Sequence, residues 1–145
     1  MDDQSFEERY LDVLQNLEFG IVQVARRHPE MSDWEALVAV EALMQVYRAE
    51  AAGREAHPSK LDPLAEETYH MVESMCEWRL GRGQFVNDEG EPVELPVEPI
   101  TAEEMYKCLK RIRDSIRKWT KRAGRQGYLT YLDQFFPSTP DAEQR

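Results

Sequence analysis

Cysteine is almost missing from this chain: Cys76 and Cys108 are the only two among 145 residues. Two isolated thiols argue against a disulfide scaffold and fit a reducing compartment. Histidine is nearly as sparse, with His28, His57 and His70 alone. No apolar run approaches the roughly 18 residues that a membrane-spanning helix needs. The opening Met1-Asp2-Asp3-Gln4 is acidic and carries no apolar signal core, so a cytoplasmic protein is expected. No glycine loop able to cradle a phosphate is present, since Gly81-Arg82-Gly83 is too short and follows a helix. There is no nucleophile elbow, and neither repeats nor low-complexity tracts occur.

What is present is charge and helical periodicity. The charged fraction is 32% and the hydrophobic fraction 41%, which suits a helical protein with solvated outer faces. The length predicts one domain over residues 1–137, followed by a disordered tail at 138–145.

The clearest element lies between Thr101 and Gln126. Ala102, Met105, Leu109, Ile112, Ile116, Trp119 and Ala123 recur at gaps of three and four, which places them on one helical stripe. Thr101 with Glu104 forms a capping box, and Ile100 with Met105 a hydrophobic staple. Residues 101–126 hold nine Lys or Arg against three Asp or Glu, a net of +6. Taken from the −10 of the whole chain, this leaves −16 for the remainder. Such segregation speaks to partners, including partners within the molecule.

Three further helices are legible. Ser5 with Glu8 is a capping box for a helix from Phe6 to about Arg27, ended by His28-Pro29. Gly20 in its middle marks a close helix approach. Ser32 with Glu35 starts a second helix that runs to about Ala52. Its apolar residues, Trp34 to Tyr47, spread almost all round, so it should be buried on every side. A chain this small covers such a helix with difficulty, which predicts a homodimer through Leu43, Val46 or Tyr47. Asp62-Pro63 opens a third helix reaching about Leu80, acidic on one face through Glu66, Glu73 and Glu77. Residues 84–100 carry Asp88, Glu89, Glu91, Glu94 and Glu98 with no Lys or Arg. They read either as a small β-hairpin or as an extended passage broken by Pro92, Pro96 and Pro99. Tyr128 to Phe136 should form a short capping helix. The fold expected is all-α, a four-helix bundle with this C-terminal cap. The short first connection predicts that helices one and two are antiparallel neighbours.

No catalytic set and no cofactor are expected. A di-iron bundle needs two Glu-x-x-His motifs, and only Glu67-Thr68-Tyr69-His70 is present. Glu66, His70 and Glu73 are therefore a weak metal candidate, and a metal-dependent bundle enzyme ranks third among functions. The leading expectation is an interaction module that offers the basic face (Lys110, Arg113, Arg117, Lys121) and the acidic loop (Asp88, Glu89, Glu91, Glu94) to a protein partner. Nucleic acid is the alternative, since phosphate binding needs mainly a continuous cationic face. Against it stand the surplus of negative charge and Tyr106 as the one aromatic interleaved with that face. An internal pairing of the basic face with Glu66, Glu73, Glu77 or the acidic loop is favoured over nucleic acid.

Overall fold

Helix-forming sequence dominates the structure, a computed structural model that describes residues 3–82, 89–91 and 98–136. Those residues form five α-helices and no strand. The expected hairpin and the expected tail fall largely or wholly outside the described residues.

The helix starts follow local chemistry in two of the three capping boxes. In α2 (Asp33–Ala51) the Ser32 amide donates to Glu35 Oε1 at 3.0 Å. In α4 (Ala102–Ala123) the Glu104 amide donates to Thr101 Oγ1 at 3.1 Å and the Thr101 amide to Glu104 Oε1 at 3.0 Å. Each box satisfies amides that the first turn leaves without an internal acceptor. The third box does not start its helix. The first helix, α1 (Asp3–Arg27), begins before Ser5 and kinks at Tyr10 (φ −113°, ψ 16°). Tyr10 is also where α1 is tied to the start of α4, through a hydrogen bond from its hydroxyl to Glu104. The remaining helices are α3 (Pro63–Arg79), with proline in its first turn, and α5 (Gly127–Asp133).

Packing overturns one neighbour relation. α1 and α2 are joined by a short connection, yet they are not packed partners: α2 lies between α3 and α4, while α1 packs chiefly on α3. Ion pairs fix the directions. Arg79, at the end of α3, meets Asp12 near the start of α1, and Glu67 near the start of α3 meets Arg27 and His28 at the end of α1. α1 and α3 are thus antiparallel. Arg117 on Glu41 and Thr120 on Asp33 make α2 and α4 antiparallel as well. α3 and α4 are not adjacent, and this separation governs the charge distribution.

The core joins Leu17, Ile21 and Val24 of α1 to Val40 and Leu43 of α2, Val72 and Cys76 of α3, and Met105, Leu109, Ile112 and Ile116 of α4. The α4 stripe is buried from Met105 to Ile116, but Trp119 is half-buried and Ala123 exposed. Much of the wide apolar circumference of α2 is covered within the chain: Leu43 and Tyr47 are fully enclosed, although Trp34 is exposed. They present nothing to a second copy, and of the three residues expected at a dimer contact only Val46 keeps exposed surface.

A candidate interaction surface

The basic face of α4 points away from the acidic face of α3. Lys110, Arg117 and Lys121 are exposed and Arg113 is half-buried. None of them meets Glu66, Glu73 or Glu77, because α3 and α4 stand diagonally across the molecule. Arg117 instead pairs with Glu41 of α2 at 2.9 Å, Arg111 with Glu7 of α1 at 3.4 Å, and Arg113 with its neighbour Asp114 at 3.0 Å. Lys110 and Lys121 meet no carboxylate among the described residues. The expected pairing with α3 is therefore corrected. Glu77 is held elsewhere, accepting from Tyr47 at 2.7 Å and from Arg82 at 2.9 Å. Burial works to raise its pKa, but these donors and the Arg82 charge outweigh it and hold the carboxyl below its ordinary value.

Beside the ridge, the seam between α2 and α4 opens into two hollows, one of about 460 Å³ and one of about 280 Å³. The larger is lined by Trp34 and Leu37 of α2 and by Arg117, Thr120, Lys121 and Arg125. Trp34 is 64% exposed, the largest exposure among the big apolar side chains of the described residues. The all-round apolar pattern of α2 predicts it to be buried instead. The signal was nonetheless there. Trp34 shares its helical face with Glu41, Gln45 and Arg48, seven, eleven and fourteen residues on, and polar residues at that spacing mark a solvent side.

The floor of this hollow is rigidly held. Asp33 is only 1% exposed, and its carboxylate accepts from Thr120 Oγ1 at 2.6 Å and from the amides of Tyr128 at 2.9 Å and Leu129 at 3.1 Å. A side chain on α2 thus caps α5, with the negative charge where a helix N-terminus favours it. Around it, Gln126 donates to the carbonyls of Pro29 at 2.9 Å and Met31 at 2.7 Å, and Arg125 donates to that of Glu30 at 2.9 Å. Pro29, Glu30, Met31 and Asp33 are thus all stitched to the α4–α5 turn.

On the other flank of α4, Trp119 stacks on Tyr131 with centroids 4.1 Å apart, and Phe135 packs edge-on to Tyr131. Arg122 and Lys118 lie 5.4 Å and 6.0 Å from the Trp119 ring centre. Cations and exposed aromatic surface therefore alternate around the C-terminal half of α4. Tyr106, the aromatic singled out in the sequence, lies within reach of Arg48 at 5.9 Å.

The remaining candidates separate. His70 is exposed, with Glu66 3.7 Å from Nε2 and Glu73 3.6 Å from Nδ1, so the two carboxylates address different ring nitrogens. Glu67, the acid of the Glu-x-x-His motif, turns to His28 at 3.1 Å and Arg27 at 2.8 Å. Among the described residues no group of three ligating side chains is placed to hold a metal ion. Glu89 and Glu91 of the acidic loop are exposed beside Gly90, while Asp88 and Glu94 lie outside the described residues. Burial, reinforced by nearby acids, pushes the Cys108 thiol up to about 12 and the Cys76 thiol well above its ordinary value. Neither is a ready nucleophile. No helix among the described residues is long and apolar enough to cross a membrane. In comparisons with known protein families, characterised proteins and solved structures, nothing matches the chain.

Proposed function

We propose that this protein is a non-enzymatic interaction module, a four-helix bundle capped by α5, that offers the basic ridge of α4 to an acidic protein surface. The observation that carries this reading is the diagonal placement of α3 and α4, with Lys110 and Lys121 meeting no carboxylate among the described residues of a chain that holds 28 acidic residues. A chain with a net charge of −10 has acid enough to neutralise that ridge. Its basic helix is nevertheless kept apart from the acidic face of α3. Buried, high-pKa thiols and a protein-bound Glu67 support the non-enzymatic assignment, and the two free cysteines fit the cytoplasm. The exposed Glu89 and Glu91 are the described part of its acidic counterpart. A homodimer belongs to the same reading, with Val46 or Trp34 rather than Leu43 or Tyr47 at its contact, and sedimentation at tens of micromolar decides it.

Nucleic acid is the second reading, and one observation favours it: the Trp119–Tyr131–Phe135 ladder beside Lys118 and Arg122 combines aromatic surface with cations, as single-strand-binding grooves do. The long-range repulsion from −16 elsewhere opposes it. Replacing Arg113, Arg117 and Lys121 with glutamine separates the two. The expected outcome is negligible oligonucleotide binding by the unmodified protein at physiological salt, with loss of polyglutamate binding in the variant. Micromolar oligonucleotide binding that the triple substitution abolishes, and whose logarithmic salt slope falls by roughly 0.7 per lost single-strand phosphate contact, would establish the second reading instead.

A further inference from the structure

Trp34 and its hollow add a specificity that charge alone lacks. The side chain stands 64% exposed on a helix whose other large apolar residues are mostly enclosed. Leaving a tryptophan in water is unfavourable relative to burying it, and the fold offers no reason for it: the Asp33 network directly behind it is complete without the indole. Tryptophan and arginine are the side chains most enriched at the energetic centres of protein interfaces. Here Trp34 and Leu37 form an apolar floor, with Arg117, Lys121 and Arg125 around it. The hollow, about 460 Å³, is the size of one or two large side chains.

Resting on the interaction-module reading, we infer that the α2–α4 hollow binds a partner segment in which one aromatic or aliphatic side chain is flanked by Asp or Glu, the apolar group seated against Trp34 and Leu37 and the carboxylates over Lys121 and Arg125. Charge complementarity chooses this occupant. A purely apolar segment would strand Lys121 at the rim of a dry contact, and a purely acidic one would leave Trp34 uncovered. The hollow's base is braced by hydrogen bonds, from Thr120 to Asp33, from Arg125 to the Glu30 carbonyl and from Gln126 to the Met31 carbonyl. Binding therefore orders little of the receptor, which favours affinity.

The test is selection of displayed random peptides of about a dozen residues on the full chain, followed by affinity measurement on the enriched peptides, a polyglutamate of equal length and an oligothymidylate. Enriched peptides should carry acids beside an aromatic or aliphatic residue. Trp34→Ala should weaken them at least tenfold, as loss of an interface anchor does, while leaving the weaker polyglutamate binding within twofold. Lys121→Glu should weaken both. Circular dichroism and melting of each variant verify that these exposed substitutions leave the fold intact. If Trp34→Ala leaves every selected peptide within twofold while Lys121→Glu still weakens them, the hollow is not the site and the ridge reading survives. If neither substitution matters, or nothing is enriched and polyglutamate does not bind, both readings fail. Tighter binding of oligothymidylate than of any selected peptide overturns the peptide assignment in favour of nucleic acid.

Discussion

Two side chains show how much a single position decides here. Glu18 lies on α1, mostly buried, and burial first and Glu7 second raise its carboxyl to about 7. No donor or cation pairs with it among the described residues. Nearby, the Tyr128 hydroxyl is fully enclosed and has no hydrogen-bond partner among the described residues. The folded carboxyl holds its proton more tightly than the unfolded one, so the folded state binds more protons between pH 4.5 and 7. Stability should fall as pH rises through that window and level off above it, by up to about 3 kcal/mol. Urea titrations of Glu18→Gln should show a flatter profile and a more stable protein at pH 8. A profile that Glu18→Gln leaves unchanged would mean that the group is charged and solvated in the folded state. Asp33 is the opposite case, a buried carboxylate with every oxygen occupied. Asp33→Ala strands the amides of Tyr128 and Leu129, while the Thr120 hydroxyl keeps the Ile116 carbonyl at 2.7 Å, and should cost about 3 kcal/mol. Hydrogen exchange should show the loss concentrated at Tyr128 and Leu129.

At the scale of elements, two glycines in helix-rich surroundings have opposite roles. Gly20 faces α3, where an added Cβ would lie 3.5 Å from Met71 and from Val72, an ordinary contact. The close approach read from the sequence is real, but it leaves room for a methyl group. Gly20→Ala should therefore stabilise α1 by about 0.5–1 kcal/mol through the reduced freedom of the unfolded chain. Gly127 joins α4 to α5, and a Cβ there would fall 2.3 Å from the Trp119 carbonyl and 2.8 Å from Ala123 Cβ. Gly127→Ala must displace α5, breaking the Trp119–Tyr131 stack and the Asp33 cap, and should destabilise by about 1–3 kcal/mol. Thermal melts of the two variants should move in opposite directions, and near-ultraviolet dichroism should change for Gly127→Ala only.

The whole molecule is organised by charge as much as by its core. Because α2 stands between them, the acidic face of α3 and the basic ridge of α4 lie on different sides, and the local pairs of α4 go to α1, α2 and itself. These pairs are largely exposed, so each contributes only about 0–1 kcal/mol. The glutamine triple variant at Arg113, Arg117 and Lys121 should consequently keep its urea midpoint nearly unchanged, with stability shifted by less than about 1 kcal/mol. A larger loss, matched in the unmodified protein by a stability that falls as salt is added, would show that the ridge serves the fold rather than a partner.

Local rules carried the reading of the helices. Capping boxes at Ser32 and Thr101, Asp62-Pro63, and the three-and-four spacing of Met105 to Ile116 set starts, types and core faces, since these depend on neighbours within a turn or two. The box at Ser5 does not start its helix because α1 already begins upstream at Asp3, and the kink downstream is where Tyr10 reaches Glu104, a residue 94 positions away. What only the tertiary structure decided was adjacency. Periodicity says that a face is apolar, not which helix covers it, so the sequence could not place α1 across from α2 or separate α3 from α4. The same ambiguity hid the candidate site. Trp34 and Lys121 are 87 residues apart, and each alone reads as a core aromatic or a solvated lysine. They become one surface only because α2 and α4 pack antiparallel, with Asp33 and Thr120 bonded beneath them.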